Sequence, residues 1–224
     1  MMSMSDSRRD AVRKIIEEHY QRNDPLGWFE AVYQNAQGQG EQIPWFDGQP
    51  NRHMTEWLDR QGIPATGRAL VVGCGTGDDA EELHRRGFTV VAFDISRTAI
   101  DWCRKRFPES SVDYVAADLF DAPHEWAGAF DFVFEAYTLQ ALPRSLRGRA
   151  IRNIGRFVAP RARLLLICRG REDGEEEGSL PWPLTREEVA SFESYGLRLT
   201  SFENYIEDRD GPIRRFRAVF ERPA

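Results

Sequence analysis

Three glycines at alternate positions, Gly73, Gly75 and Gly77, follow an apolar run that is typical of a buried strand. Because glycine has no Cβ, such a turn can bend sharply and let its backbone approach a ligand closely. Asp94 lies 21 residues beyond Gly73, at the carboxyl end of the next apolar run. A carboxylate at that place can accept hydrogen bonds from both hydroxyls of a ribose. The spacing therefore predicts a site for an adenosine-containing cofactor.

The residue after the turn separates two kinds of cofactor. A dinucleotide site of the Gly-x-Gly-x-x-Gly type needs glycine at position 78, where this chain has Asp78. A pyrophosphate would meet a like charge at the helix N-terminus that it requires. S-adenosylmethionine fits better, because it has a cationic sulfonium and no phosphate, and its carboxylate can accept from the amides of the loop. Cys74 is expected to fill the turn as a small side chain, not to act as a nucleophile.

A second acidic residue extends the predicted site. Asp118 lies just past the third predicted strand, where it can accept from an adenine amino group while Leu119 covers the ring. Ile95 directly follows Asp94 and belongs to the same turn. Each feature alone has an ordinary alternative, either a tight turn or a helix cap. The ordered set of loop and two acids favours the cofactor site.

Candidate catalytic residues come from the loop after the fourth predicted strand. Glu135 can bind the amino group of the cofactor, act as a base or cap the next turn, and the sequence leaves these alternatives open. Tyr137 is a candidate catalytic and substrate residue, with simple packing as the alternative. The reaction expected with S-adenosylmethionine is transfer of its methyl group. Such a transfer chiefly requires alignment of nucleophile and methyl group and exclusion of water, so it would need no catalytic triad.

Five residues are predicted to contact the substrate, the molecule that accepts the methyl group. They are aromatic, polar and basic: Trp45, Tyr137, Gln140, Arg169 and Trp182. Trp45 is also a predicted cofactor contact. Burial in the core is the alternative for both tryptophans, because tryptophan is usually highly buried.

The elements that must position these residues follow from apolar runs that alternate with helical patterns. The predicted strands are 68–72, 89–93, 112–116, 130–135, 163–168, 197–206 and 213–221. The first five are apolar throughout, as expected of parallel strands buried on both faces. The last two are joined by a short turn at 208–211, which makes them antiparallel. The predicted fold is α/β, a doubly wound, mostly parallel, seven-stranded Rossmann-like sheet that ends in an antiparallel hairpin.

The N-terminal part of the chain has a different pattern. An amphipathic helix is predicted over 6–20, a loop-like aromatic stretch follows over 21–50, and Asn51 can cap a further helix. We expect residues 1–62 to form a helical and aromatic cap over the cofactor site, and residues 63–224 to form the core.

Composition excludes several function classes. The 224 residues carry 30 Lys+Arg and 36 Asp+Glu, a net charge of -6, and no block of basic residues, so a nucleic-acid partner is not expected. No apolar run approaches the ~20 residues of a membrane span, which predicts a cytoplasmic protein without a membrane partner. Three scattered cysteines and four separated histidines predict neither a disulfide framework nor a metal site. The chain is expected to be a monomer or a homodimer.

These motifs together resemble the class I S-adenosylmethionine-dependent methyltransferases, from about Gly67 to the C-terminus. The resemblance is carried by Val72 to Gly77, Asp94, Ala117 to Leu119 and the terminal hairpin. A narrower resemblance is to the thiopurine and thiol methyltransferase-like branch, which includes plant thiol/halide and bacterial tellurite-type enzymes. It rests on the segments 43–50, 130–137 and 181–184.

The resemblance implies S-adenosylmethionine as cofactor, S-adenosylhomocysteine as product, a small-molecule acceptor and an N-terminal segment that covers the cofactor. The chain departs from the branch at two places. Val32 stands where the branch tends to have a second tryptophan four residues after Trp28, and strand five is entered through Ala159 to Arg163 instead of Pro-Gly-Gly. The first departure concerns the substrate region, and the second lies in a remote turn.

The sequence thus predicts methyl transfer to a small-molecule acceptor by in-line displacement, with a thiol or another soft nucleophile favoured. Two alternatives remain at this level. One is a cofactor-binding accessory or regulatory protein without turnover. The other is a nicotinamide-dependent oxidoreductase, which Asp78 and the terminal hairpin disfavour.

Overall fold

A seven-stranded sheet with the strand order β3-β2-β1-β4-β5-β7-β6 forms the centre of the molecule. This computed structural model describes residues 4–61, 66–208 and 211–224. The predicted domain boundary between residues 62 and 63, and the middle of the predicted turn 208–211, lie outside the described residues. Neighbouring strands from β3 to β5 run parallel, and β7 runs antiparallel to both β5 and β6. The predicted fold class is confirmed.

The strands are β1 (Arg68–Val72), β2 (Thr89–Asp94), β3 (Asp113–Ala116), β4 (Phe130–Ala136), β5 (Val158–Arg169), β6 (Arg198–Asp208) and β7 (Pro212–Glu221). The helices are α1 (Met4–Gln21), α2 (Gly27–Ala36), α3 (Arg52–Gln61), α4 (Asp78–Arg85), α5 (Arg97–Arg106), α6 (Arg144–Phe157) and α7 (Arg186–Ala190). The strand order changes direction between the neighbouring strands β1 and β4. In sheets of this kind, ligands bind at the carboxyl ends of the strands beside such a point.

Helix α2 corrects the prediction of a loop over residues 21–50. Its buried face consists of Trp28, Val32, Tyr33 and Ala36, which recur at helical spacing. These side chains pack with residues of α1 and α5 into an apolar cluster separate from the two clusters on the faces of the sheet. The loop prediction was wrong because the flanking glycines and prolines concealed this short apolar face.

Two further observations concern the described part of the chain. None of its helices is long and apolar enough to cross a membrane. Nor does it bring three or more His, Cys, Asp or Glu side chains together in a group suited to a metal ion.

Candidate cofactor and acceptor site

The glycine turn connects β1 to α4, and all three glycines have left-handed backbone angles. The φ angles are 62° at Gly73, 54° at Gly75 and 90° at Gly77. A Cβ at Gly73 would collide with the hydroxyl of Thr138, and one at Gly77 would lie 2.6 Å from the hydroxyl of Tyr114. Packing inside the protein therefore requires two of these glycines, in addition to any need for close approach by a ligand.

The amides of this turn make hydrogen bonds within the protein. The Cys74 amide donates to the Phe93 carbonyl at 2.9 Å, and the Gly77 amide donates to the Cys74 carbonyl at 3.0 Å. The Gly75 amide donates to Asp94 Oδ2 at 2.9 Å. These three amides close the turn and tie it to the end of β2. They are therefore not the donors for a ligand carboxylate that the sequence interpretation assumed.

Asp94 lies at the end of β2 and is almost fully buried. Its second oxygen, Oδ1, accepts from the Ser96 amide at 2.9 Å. Burial raises the pKa of this carboxyl to about 6, although the amides of Ser96 and Gly75 favour its ionised form. Each carboxylate oxygen keeps a further lone pair, so Asp94 can still accept from a ligand diol.

The structure places the predicted adenine contacts directly after β3. Asp118 caps a short 3-10 helix over Leu119–Asp121, because its Oδ1 accepts from the Phe120 amide at 2.8 Å. Leu119 is buried, and Ile95 is partly buried in the turn after Asp94. The helix-cap role that the sequence left open for Asp118 is thus present in the structure.

Asp78, the first residue of α4, is paired with Arg106. Its two oxygens each accept from the guanidinium at 2.8 Å. The sequence argument against a pyrophosphate treated Asp78 as an uncompensated charge, and this ion pair corrects that premise. The Arg106 guanidinium also lies 5.3 Å from the ring centre of Phe46, so it connects the glycine turn to the N-terminal segment.

Glu135 is the most deeply buried acid beside the turn, with no exposed surface. Its Oε1 accepts from the amides of Thr138 at 2.7 Å and Leu139 at 3.1 Å, which is the capping role considered from the sequence. Its Oε2 is buried and has no hydrogen-bond partner among the described residues. Burial raises the pKa of Glu135 to about 7. A carboxylate with one satisfied and one orphaned oxygen is suited to receive a cationic donor.

Tyr137 has a left-handed φ of 68°, which is unusual for a tyrosine. Its amide donates to the Ile167 carbonyl at 3.1 Å, and the Arg215 guanidinium lies 5.2 Å from its ring centre. The ring packs against the apolar cluster that includes Trp57 of α3 and Leu83 of α4. Burial raises the pKa of Tyr137 above its ordinary value. The described contacts therefore hold Tyr137 against the sheet and Arg215.

Gln140 is hydrogen-bonded to two other residues that are predicted to contact the methyl acceptor. Its side-chain Oε1 accepts from the Arg169 amide at 2.6 Å, and its carbonyl accepts from the Trp182 amide at 2.8 Å. The Trp182 ring lies edge-on to Tyr20, and the Arg147 guanidinium is 5.7 Å from its ring centre. The structure thus brings Gln140, Arg169 and Trp182 together at the ends of β4 and β5.

Trp45 lies in a different group of aromatic side chains. It is 43% exposed, and its Nε1 donates to the Tyr33 hydroxyl at 3.1 Å. Its ring makes edge contacts with Trp28 and Tyr33. The core alternative therefore does not hold for Trp45.

Sequence reasoning missed two residues of α2, one of which contacts the glycine turn and the other the start of α5. Glu30 accepts from the hydroxyls of Ser96 and Thr98, both at 2.6 Å, and Tyr33 lies against Gly75. The only available signal was the helical spacing of the neighbouring apolar residues, since these contacts join parts of the chain that are distant in sequence.

Comparison with known proteins identifies the family. Residues 33–221 match the family model described as thiopurine S-methyltransferase. The chain is 27% identical over 165 residues to the probable thiol methyltransferase 2 of Arabidopsis thaliana, covering 72% of this chain and 67% of the relative. It is 23% identical over 171 residues to the thiopurine S-methyltransferase of Acinetobacter baylyi, covering 67% and 78%.

The fold also matches a solved structure described as an S-adenosylmethionine-dependent methyltransferase from Methanosarcina mazei, with a TM-score of 0.64 and 16% identity over 78% of this chain and 99% of that one. The family resemblance and the cofactor predicted from the sequence are both confirmed. The chain belongs to the thiopurine S-methyltransferase family, and it is an enzyme of the S-adenosylmethionine-dependent methyltransferase type.

Proposed function

We propose that this enzyme methylates a thiol, or a similarly soft nucleophile, on a small molecule. The observation that carries the proposal is the family match over 33–221, together with the relatives named for thiol and thiopurine acceptors. The two alternatives, a nicotinamide oxidoreductase and a cofactor binder without turnover, are not favoured by these relatives.

The residues at the carboxyl ends of β2, β3 and β4 fit S-adenosylmethionine. Asp94 would accept from the ribose hydroxyls, and Asp118 with Leu119 would hold the adenine. The orphaned Oε2 of Glu135 is a fitting acceptor for the ammonium group of the cofactor, because a buried carboxylate oxygen without a partner is costly until it is paired. When bound, S-adenosylmethionine supplies an electrophilic methyl group on a sulfonium.

The described residues favour catalysis by positioning over catalysis by a dedicated base. Glu135 is directed to cofactor binding in this proposal, and Tyr137 is held beneath Arg215 with a raised pKa. A thiol loses its proton far more readily than a hydroxyl does, so a thiolate acceptor can react without a base in the protein. The protein would then contribute alignment of the two reactants and exclusion of water.

We place the acceptor beside Gln140, Arg169 and Trp182, with Trp45 and Tyr137 as further candidate contacts. The hydrogen bonds that the amides of Arg169 and Trp182 donate to Gln140 would hold these residues in place around the acceptor. Residues 1–62, which include α1 to α3, would form the cover that closes over the cofactor. A cytoplasmic location, a monomeric or homodimeric state and the lack of a nucleic-acid partner are part of the same proposal.

The test measures release of S-adenosylhomocysteine from the intact enzyme with thiols, halides, chalcogen oxyanions, phenols and amines. We expect the highest kcat/KM with a thiol. Trp182→Ala should raise KM for that acceptor while binding of S-adenosylhomocysteine stays unchanged, because Trp182 is assigned to the acceptor alone. Higher kcat/KM with a phenol or an amine than with every thiol would refute the proposed acceptor class.

A further inference from the structure

Tyr33 brings a hydroxyl group from α2 to the glycine turn. The side chain is 2% exposed, and its ring lies edge-on to Trp102 of α5 and to Trp45. A Cβ at Gly75 would lie 3.0 Å from the Tyr33 hydroxyl. The hydroxyl therefore lies directly against the middle residue of the turn, whose amide donates to Asp94.

The direction of one hydrogen bond shows that Tyr33 has a hydrogen to give. An indole nitrogen can only donate, so in the 3.1 Å contact between Trp45 Nε1 and Tyr33 the tyrosine oxygen is the acceptor. The tyrosine hydrogen must point elsewhere, and the hydrogen bonds of the described residues give it no acceptor. Burial and, next to it, the charge of Asp94 raise the pKa of Tyr33 well above its ordinary value, so the hydroxyl remains protonated.

The position of Tyr33 relative to Asp94 is fixed by Glu30, which lies on the same helix. Glu30 accepts from the Ser96 hydroxyl at 2.6 Å, and the Ser96 amide donates to Asp94 Oδ1 at 2.9 Å. Through Ser96, α2 and the acid at the end of β2 share one anchor point. Tyr33 and Asp94 also meet at Gly75, which lies against the Tyr33 hydroxyl and donates its amide hydrogen to Asp94.

We propose that Tyr33 is a cofactor-binding residue whose hydroxyl donates to one ribose hydroxyl oxygen of the adenosyl cofactor, while that ribose hydroxyl donates to Asp94. The result is a continuous sequence of donors from Trp45 through Tyr33 and the ribose to Asp94. Tyr33 and the ribose hydroxyl between the two ends each accept one hydrogen and donate one, and hydrogen bonds arranged in this way strengthen one another. The inference rests on the cofactor assignment of Asp94 and is independent of the acceptor.

Calorimetric titration of the whole protein with S-adenosylhomocysteine and its 2′-deoxy and 3′-deoxy forms tests this inference. Tyr33→Phe keeps the ring and removes the hydroxyl, so affinity for S-adenosylhomocysteine should fall about 3- to 10-fold, as for one neutral hydrogen bond. The penalty should vanish for the one deoxy form that lacks the contacted hydroxyl. Trp45→Phe removes the donor to the Tyr33 oxygen, so it should reduce the preference for the ligand that carries the contacted ribose hydroxyl over the deoxy form that lacks it, which provides a second test should Tyr33→Phe not fold.

A purely structural role, or a contact to the carboxylate of the cofactor, would weaken all three ligands by the same factor and would overturn the proposal. Unchanged affinity in Tyr33→Phe would also overturn it. If the wild-type protein bound none of the three ligands, the cofactor site itself would be wrong. Because these titrations contain no acceptor, failure of the thiol proposal cannot produce any of these results.

Discussion

Gly75 is the residue where an unusual backbone conformation, the contact with Tyr33 of α2 and the proposed cofactor site coincide. Its φ of 54° is strained for any residue with a Cβ, and that Cβ would press on the Tyr33 hydroxyl. Gly75→Ala should therefore lower stability by roughly 1–2 kcal/mol and weaken binding of S-adenosylhomocysteine at least about tenfold, by displacing Tyr33. Thermal unfolding and calorimetric titration measure the two effects.

The control for this substitution is Gly148→Ala on α6, where a Cβ would meet nothing within 4 Å. There the change should stabilise the protein by roughly 0.5–1 kcal/mol, because alanine is the better helix former. Equal responses at the two positions would show that conformation and contact at Gly75 are unimportant.

Asp94 provides a pH-dependent prediction for cofactor binding. Its pKa of about 6 in the unbound protein means that the carboxyl is largely protonated at pH 5 and ionised at pH 7. The ionised form offers stronger acceptors to the ribose, so affinity for 5′-methylthioadenosine should rise over this interval. That ligand lacks the amino group assigned to Glu135, which removes the second buried acid from the measurement. Asp94→Asn should abolish the rise, whereas Asp118→Asn should weaken binding and retain it.

At the scale of elements, Glu30 joins two helices that are remote in sequence. Besides accepting from the hydroxyls of Ser96 and Thr98, Glu30 accepts from the Thr98 amide at 3.1 Å, near the N-terminus of α5. Burial raises its pKa, but the hydrogen bonds from Ser96 and Thr98 outweigh burial and leave the pKa below its ordinary value. Glu30→Gln should cost about 1.5–3 kcal/mol, as expected for hydrogen bonds to a charged group.

Because Glu30 anchors the helix that carries Tyr33, the same variant should also release S-adenosylhomocysteine faster in stopped-flow measurements. Glu18→Gln on the exposed side of α1 is the control, and it should change neither quantity. If Glu30→Gln lowered the stability but left the rate of S-adenosylhomocysteine release unchanged, α2 would not take part in binding the cofactor.

The elements differ in how far the sequence could predict them. Strands such as Arg68–Val72 and Thr89–Asp94 were predictable because burial on both faces leaves a continuous apolar run. Asp94 could be predicted as a candidate site residue, because its place at the end of a strand can be read from the sequence. Tyr33 and Glu30 could not be predicted as candidates, since their contacts join residues as much as 68 positions apart in the chain.

At the scale of the whole molecule, acids that are buried without a cationic partner and acids that are bound to arginine make opposite contributions to the pH dependence of stability. Burial raises the pKa of Asp79 and Glu135 to about 7 and that of Asp94 to about 6. A group whose folded-state pKa is raised stabilises the fold fully below its unfolded pKa, and this contribution is lost as pH rises through the folded value. These three acids should therefore lower stability between pH 5 and pH 7.

Other acids limit stability from the acidic side. Hydrogen bonds from Arg217 and from Arg85 hold the pKa values of Glu203 and Glu82 below their ordinary range. Their contribution is present above the unfolded pKa and is lost as pH falls below about 4. The unbound protein should therefore have its highest unfolding temperature in the mildly acidic range, between about pH 4.5 and 6. A temperature that rises steadily from pH 5 to pH 8 would contradict the raised pKa values.

Glu135→Gln separates one buried acid from the rest. Glutamine keeps an oxygen for the amides of Thr138 and Leu139 but cannot ionise, so it removes the cost of a buried charge at high pH. With a pKa of about 7 against an ordinary 4.5, the variant should be more stable than wild type by up to roughly 3 kcal/mol at pH 8, and by much less at pH 5. Urea unfolding at both pH values measures this difference, with Glu125→Gln at an exposed position as the control.

Glu135→Gln should also bind S-adenosylhomocysteine more weakly, because the carboxylate that costs stability in the unbound enzyme is the group proposed to hold the ammonium. A variant that gained stability at pH 8 and kept full affinity would leave Glu135 as a helix cap and remove it from the cofactor site.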